Sequence, residues 1–298
     1  MRQDPLARIP KHKYNTCMGT RNRRPIVAGA FYPGEPSELE RMARRLLGDT
    51  AHTDARPFSS PVGLIAPHAG YVYSGETAAV GLRAVAELGT PETVVLLGAS
   101  HTGYGSAVAL DDHDRWETPI GGLPVDRDSV SRLAAAGIPV EAMPFAREHS
   151  IEVQLPLIQV LWPEGVRIVP ICVQSGSYET LARAADAIAD IAASRPILLL
   201  ASSDFTHYES QDDAVRLDRK ALDRILACDV EAFLNLVRDE GLTICGAAAI
   251  AILMTIANRL RLADARLIHY ATSGDVTGDH ESVVGYASVL FSGGEHDS

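Results

Sequence analysis

Short apolar segments alternate with amphipathic segments along most of the chain. Residues 63–66, 93–98 and 197–201 are runs of mostly aliphatic side chains, a pattern typical of strands that are buried on both faces. Between such runs, alanine, valine and leucine recur at helical spacing, for example over residues 74–88 and 177–193. This alternation predicts an α/β fold, a three-layer α/β/α sandwich with a mostly parallel mixed central sheet.

Weaker signals predict the remaining elements. Ser37 opens a Ser-x-x-Glu capping box, which indicates a first helix starting there. Another helix is expected around Pro156, which would either kink it or mark its first turn. The region after His101 is interpreted as irregular through Trp116 and Gly121-Gly122, apart from a hairpin strand at residues 107–110. Two final strands, 265–273 and 283–291, are predicted to be antiparallel neighbours.

The composition is that of a globular protein, with 298 residues of which 46% are hydrophobic and 22% charged. The formal net charge of −11 is unevenly distributed, because residues 1–24 contain seven lysines and arginines against a single acidic residue. We expect residues 1–24 to be a basic, disordered leader, residues 25–293 a single domain, and residues 294–298 a tail. A nucleic-acid or membrane arm is the alternative for the leader, and Met18 is an alternative start.

The charge and cysteine patterns exclude several classes of protein. The acidic domain argues against nucleic acid as a partner, since phosphate binding needs basic patches. No apolar run approaches the roughly 20 residues of a membrane span. Cys17, Cys172, Cys228 and Cys245 show neither CxxC pairing nor dense spacing. A disulfide scaffold or zinc ribbon is therefore not indicated, and a reducing cytoplasm is the expected location.

Three histidines, His68, His101 and His207, follow the apolar runs that predict strands. In open α/β sheets, ligands and chemistry collect outside the carboxyl ends of the strands, so we expect one shared site. Cys245 precedes an alanine-rich helix, whose N-terminus would lower the pKa of the thiol and favour a thiolate. Imidazole and thiolate both bind iron, copper and zinc. A buried structural role is the alternative for each of these residues.

Polar residues near these histidines allow more than one interpretation. Asp204, three residues before His207, could orient that imidazole, ligate a metal or cap the next helix. A serine hydrolase built on Ser203, Asp204 and His207 is a further alternative, although the GxSxG elbow of that class is missing. Glu148 and His149 could cap a helix or hydrogen-bond a substrate.

Six short motifs occur in an order that matches a known family. They are IAPHAGY at 65–71, LGASH at 97–101, EHSIE at 148–152, SSDFTH at 202–207, ICG at 244–246 and YATSGD at 270–275. From about residue 25 to residue 291, the chain resembles the Memo family, which in bacteria is labelled AmmeMemoRadiSam system protein B. That family is similar to LigB-type extradiol dioxygenases, so the resemblance implies a LigB-like fold.

The resemblance also implies roles for individual positions. In LigB-type enzymes, two histidines and a carboxylate hold iron, and a further histidine is the acid/base. His68 and His101 match the two histidine ligands by position, and Cys245 stands where the carboxylate would be. His207 matches the acid/base residue, with Asp204 expected to hold it. A soft thiolate in place of the carboxylate favours copper, zinc or a different iron chemistry.

The resulting expectation is a non-haem metal-binding protein of the Memo family, with Fe(II) or Cu as its ion and Zn as the alternative. Its LigB-like pocket would take a small molecule or a peptide for redox or oxygen-dependent chemistry. A non-catalytic metal-sequestering or peptide-binding adaptor is the alternative. The resemblance further implies radical-SAM and Amme-domain proteins as partners. The residues expected to touch the substrate or to support the metal ligands are Tyr71, Ser100, Glu148 and His149.

Overall fold

A mixed sheet of eight strands forms the centre of this computed structural model, which describes residues 21–48, 56–163, 165–193 and 195–293. With strands numbered in chain order, the path of the sheet is β10 (Asp264–Thr272), β11 (Val283–Ser292), β2 (Val62–Ala66), β8 (Ile197–Ser202), β3 (Thr93–Ala99), β7 (Arg167–Val173) and β4 (Val108–Leu110), and β9 (His207–Glu209) pairs with β11. The four strands β2, β8, β3 and β7 run parallel, whereas the outer pairings are antiparallel. The predicted α/β fold with a mixed sheet and the predicted final antiparallel pair are confirmed.

Helices cover both faces of the sheet. They are α1 (Pro36–Leu47), α2 (Tyr71–Ala86), α3 (Arg127–Ala135), α4 (Leu155–Leu161), α5 (Tyr178–Ala192), α6 (Gln211–Leu226), α7 (Val230–Asp239), α8 (Ala247–Leu260) and α9 (Gly274–Thr277). Leu64 of β2 lies against Gly81 of α2, whereas its neighbour Gly63 lies against Leu253 of α8. Because neighbouring residues of a strand point to opposite faces, α2 and α8 belong to different layers, and the three-layer sandwich is confirmed. Within the described ranges, no helix is long and apolar enough to cross a membrane.

The order of the parallel strands determines where the loops converge. Every residue of β3 and β8 is buried, as expected of aliphatic strands between two helix layers. Since β8 lies between β2 and β3, its last residue Ser202 is paired with Ala66 on one side and with Gly98 on the other. The carboxyl ends of three strands therefore lie side by side.

Two local features differ from the sequence prediction. Helix α1 begins at Pro36 and not at Ser37, because proline suits the first helical position. The side chain of Glu35 caps the helix by accepting a hydrogen bond from the Glu38 N–H. The region from His101 to Gly122 is not irregular outside its predicted strand, since β5 (Arg115–Thr118) and β6 (Gly121–Pro124) form an antiparallel hairpin there. Its pattern was hard to detect because only alternate residues of β5 are buried.

The last residues of the predicted leader, 21–24, are among the described residues. A short strand, β1 (Asn22–Arg23), pairs in parallel with β5. Arg23 is buried, its guanidinium is 2.7 Å from a carboxylate oxygen of Glu152, and it lies 4.0 Å from the ring centre of Trp116. This charge belongs to the core of the domain and not to a leader. Residues 1–20 of the predicted leader, and the predicted tail over residues 294–298, lie outside the described residues.

Candidate metal centre and its cavity

The loops after β2 and β3 bring two imidazoles together. His68 lies two residues beyond the end of β2, and His101 lies two residues beyond the end of β3. Their ring centroids are 5.2 Å apart, and their planes are nearly perpendicular, at 82°. The shared edge of the sheet therefore places these two strand-end histidines in one site.

A third imidazole, His149, comes from the loop before α4. Its ring stacks on His101 with centroids 4.6 Å apart and lies 5.6 Å from the ring of His68. The loop is tied to the sheet edge, because the Ser150 hydroxyl donates to the Ala99 carbonyl and the Ser202 hydroxyl donates to the Ser150 carbonyl. Ligand nitrogens of the three imidazoles all lie within 4.8 Å of one another, so this group could hold a metal ion.

His149 was expected to contact substrate or to support the ligands, and its place among the three imidazoles was missed. No apolar run precedes it, so the strand-end rule that singled out the other histidines does not apply. The only local signal is its position next to Glu148, whose carboxylate also receives the backbone N–H of His149.

His68 is the deepest of the three imidazoles, at 1% exposure. Burial lowers its pKa to about 4, so the ring is neutral at physiological pH. Its backbone N–H donates to the Asp204 carboxylate at 2.7 Å, and its Nδ1 lies 3.0 Å from the Ser202 hydroxyl oxygen. A neutral imidazole is the form that binds a metal.

His101 is paired with a buried carboxylate. Its Nδ1 lies 2.9 Å from one oxygen of Glu148, and its backbone N–H donates to the other oxygen at 2.7 Å. Burial by itself would raise the pKa of Glu148, but hydrogen bonds from His101 and from the backbone lower it to about 2. Burial would lower the pKa of His101, but the Glu148 carboxylate outweighs it and the net shift is upward. A carboxylate in this position fixes the ring and makes it more basic.

Cys245 lies beside His68, with its Sγ 3.4 Å from the His68 Nε2. The sulfur also receives the backbone N–H of Asp204 at 3.2 Å. Burial, together with the nearby Asp204 charge, raises the pKa of the thiol well above its usual value. The prediction that the helix N-terminus lowers this pKa is therefore wrong for the metal-free chain, because desolvation disfavours the thiolate more strongly.

Asp204 and His207 lie near each other in sequence but have different partners. The Asp204 Oδ1 accepts the backbone N–H groups of His68 and Ala69, and so it anchors the end of β2. The His207 Nδ1 lies 2.8 Å from the Thr243 carbonyl oxygen, which can only accept, so Nδ1 donates there. Asp204 was expected to hold His207, but the hydrogen-bond partner of the His207 ring is Thr243, because the Asp204 carboxylate is engaged by the backbone N–H groups that follow β2.

An open cavity of about 530 Å³ contains the three imidazoles at its wall. Asp204, His207 and Asp279 add polar groups, and the residues that line it include no lysine or arginine. Tyr71 and Ser100, which were expected to contact substrate or to support the metal ligands, are not among the residues that line this cavity. The hydroxyl of Tyr71 instead donates to the Val153 carbonyl, and the backbone N–H of Ser100 donates to Val173. The aromatic rings on the cavity wall are Phe31, Tyr73, Tyr208 and Tyr286.

Tyr208 at the cavity rim has an unfavourable backbone conformation. Its φ is 64°, a region that bulky residues rarely adopt, and 79% of the residue is exposed. Local strain of this kind is concentrated at functional sites. The Tyr208 ring lies on the cavity wall, with its centroid 5.7 Å from that of the His207 ring.

The whole of this site lies within a stretch that matches a family model. The model is described as Memo-like protein, and it matches residues 23–290. The chain belongs to the Memo family. The matched stretch includes the three imidazoles and Cys245.

Curated relatives agree with this membership. The chain is 40% identical over 279 residues to a MEMO1 family protein of Methanopyrus kandleri, covering 90% of this chain and 98% of the relative. It is 38% identical over 277 residues to a MEMO1 family protein of Nitrosopumilus maritimus, covering 90% and 99%. Among solved structures, an uncharacterized protein of Escherichia coli K12 matches with a TM-score of 0.53 at 14% identity, over 77% of this chain and 99% of that chain. This last similarity supports the α/β fold alone.

Proposed function

We propose that this Memo-family protein binds one metal ion, Fe(II) or Cu, and holds a small molecule in the cavity beside it for redox or oxygen-dependent chemistry. The observation on which the proposal rests is the group of three imidazoles, from His68, His101 and His149, whose ligand nitrogens lie within 4.8 Å of one another at the wall of an open cavity. Three separate segments of the chain bring these imidazoles together, and binding of a metal ion would account for that arrangement.

The chemistry of the donors fits such an ion. Imidazoles suit iron, copper and zinc, and a thiol beside them shifts the preference towards softer ions. His68 is neutral, His101 is held by the Glu148 carboxylate, and the Cys245 sulfur lies 3.4 Å from the His68 Nε2. We expect the three imidazoles to hold the ion, with Cys245 as a further ligand once its proton has left. A bound ion of this kind would polarise a substrate group or exchange electrons with oxygen.

The remaining residues of the cavity have separate tasks. Because its Nδ1 donates to Thr243, His207 leaves Nε2 free to accept a proton from a bound molecule or to return one. The aromatic wall, which includes Phe31 and Tyr286, would hold an apolar or planar part of the ligand and exclude water from one side of it. Asp204, which accepts the backbone N–H of His68, would stabilise the main chain there.

The proposal is tested by anaerobic titration of chelator-stripped protein with Fe(II) and, separately, with Cu(I). We expect one equivalent to bind to the wild type and binding to be lost in His68→Ala. The matched control is His207→Ala, which removes an imidazole from the same cavity but outside the three-imidazole group, and which should still bind one equivalent. Wild-type protein that binds neither metal would refute the proposal.

A second candidate function, a metal-sequestering or peptide-binding adaptor without turnover, is favoured by the cavity mouth. Val72, Tyr73 and Val276 are 61%, 44% and 56% exposed, and they are part of, or adjacent to, segments that line the cavity. Exposed apolar groups around an opening suit a peptide better than a small polar molecule. Tight metal binding without oxygen uptake in the presence of any small aromatic substrate would favour this candidate. Radical-SAM and Amme-domain proteins are its proposed partners.

A further inference from the structure

A buried hydrogen-bond network lies behind His68, and neither proposed function uses it. At its centre is the Ser202 hydroxyl oxygen, 3.0 Å from the His68 Nδ1 and 2.7 Å from the Ser150 carbonyl oxygen. The Gln154 side-chain nitrogen approaches the same oxygen at 2.9 Å. His68, Ser150, Gln154 and Ser202 are each at most 1% exposed. The positions of the protons in this network are therefore determined by the protein groups and not by solvent.

The orientation of the Gln154 amide follows from a second contact. Its nitrogen lies 2.8 Å from the backbone carbonyl oxygen of Pro67. A carbonyl can only accept a hydrogen bond, so the amide nitrogen, and not the amide oxygen, must face Pro67. The same nitrogen faces Ser202, and Gln154 is therefore a donor to the hydroxyl.

Counting protons then fixes the state of His68. The Ser202 hydroxyl has one proton, and its oxygen can accept two hydrogen bonds. The proton goes to the Ser150 carbonyl, which can only accept, and Gln154 donates to one side of the oxygen. Only an acceptor position remains towards the imidazole. The Nδ1 of His68 must then carry a hydrogen, and in the neutral ring Nε2 has the free lone pair.

We propose that Ser202 is a positioning residue that holds His68 in the Nδ1–H tautomer and thereby directs the Nε2 lone pair towards the candidate metal centre. Nε2 is the atom 3.4 Å from the Cys245 sulfur, so the lone pair faces the thiol. Glu148 imposes the same arrangement on His101, because a carboxylate can only accept from its Nδ1. The link to metal binding rests on the proposed function, whereas the tautomer itself does not.

Nitrogen-15 NMR of histidine-labelled, metal-free protein at neutral pH tests the tautomer directly. The wild type should show a His68 Nδ1 with the chemical shift of a protonated ring nitrogen and an Nε2 with that of an unprotonated one. The reverse pattern would overturn the proposal. This spectrum requires no variant, and it is decisive even if the protein binds no metal, an outcome that would refute only the proposed function.

Two matched variants then test the role of Ser202. Ser202→Ala should give a mixture of both tautomers and weaken Zn(II) binding by about 10- to 100-fold. Ser203→Ala is the control for the tautomer, because Ser203 is equally buried but its hydroxyl donates to the Asp204 carbonyl and lies 3.9 Å from the Cys245 Sγ instead of contacting His68. It should keep the wild-type tautomer. A pure Nδ1–H tautomer in Ser202→Ala, or the same mixture of tautomers in both variants, would refute the assignment.

Discussion

Replacing Glu148 by glutamine tests how strongly the buried carboxylate supports the site. The carboxylate is fully buried and accepts backbone N–H groups from His101, His149 and Ser150 in addition to the His101 ring. Glutamine has one acceptor oxygen in place of two, and its amide nitrogen would face donors. We expect Glu148→Gln to fold with reduced stability and to hold the His101 ring less firmly.

The magnitude follows from the ionisation of the pair. The pKa of Glu148 falls from 4.5 to about 2 on folding, and each pKa unit is worth about 1.4 kcal/mol, so the ionised carboxylate stabilises the fold by about 3 kcal/mol. Because the folded pKa is the lower one, this contribution is complete above pH 4.5 and is lost as the pH falls towards 2. The pKa of His101 is raised on folding. The stabilisation that comes from the positive charge of His101 is therefore complete below pH 6.5 and is lost as the pH rises through the pKa of the folded state.

The stability difference between wild type and Glu148→Gln should therefore be greatest between pH 4.5 and 6.5 and should shrink towards pH 2. Urea unfolding at several pH values measures it. Glu141→Gln is the control: within the described residues its carboxylate hydrogen-bonds to Ser106 alone, and the change should cost about 1 kcal/mol or less. A difference that does not vary with pH would show that Glu148 is not ionised in the fold and would refute the reasoning.

Three further predictions concern other parts of the molecule. Asp126→Asn should lower the free energy of unfolding by about 2 kcal/mol near neutral pH, as measured by urea unfolding. Hydrogen bonds from Arg195 outweigh burial and lower the pKa of Asp126 to about 2, so this loss should vanish as the pH falls to about 2. Gly246→Ala would place a methyl group 2.5 Å from the Ser203 Cβ, so the unfolding free energy should fall by about 1 to 3 kcal/mol and Cu(I) affinity should fall with it. Tyr208→Gly should relieve about 1 kcal/mol of strain and leave the melting temperature equal or higher; a large decrease would show that the tyrosine ring is needed for packing.

The strand-end part of the site could be predicted from the sequence. Fully apolar runs identify β3 and β8, and parallel strands that lie side by side must end at one edge. That argument places His68, His101 and His207 at one site, and all three line the same cavity. It uses only strand type and direction, which local sequence patterns report well.

The rest of the site depends on contacts that no local pattern reports. His149 joins the group because its loop is bound to the sheet edge through Ser150. The direction of the pKa shift of Cys245 depends on burial by distant segments, which outweighs the helix N-terminus next to it. The partner of His207 is Thr243, 36 residues away in the chain. Each of these contacts joins residues that are far apart in the chain, so spacing in the sequence could not identify them.

The most direct test of the account is a crystal structure of the protein loaded with Fe(II) or Cu under anaerobic conditions, with an anomalous difference map recorded at the absorption edge of the metal. The account predicts a single peak within ligand distance of His68, His101 and His149, and on the side of His68 that faces Cys245. A loaded crystal with no peak among these imidazoles, or with its metal bound elsewhere on the molecule, would contradict it.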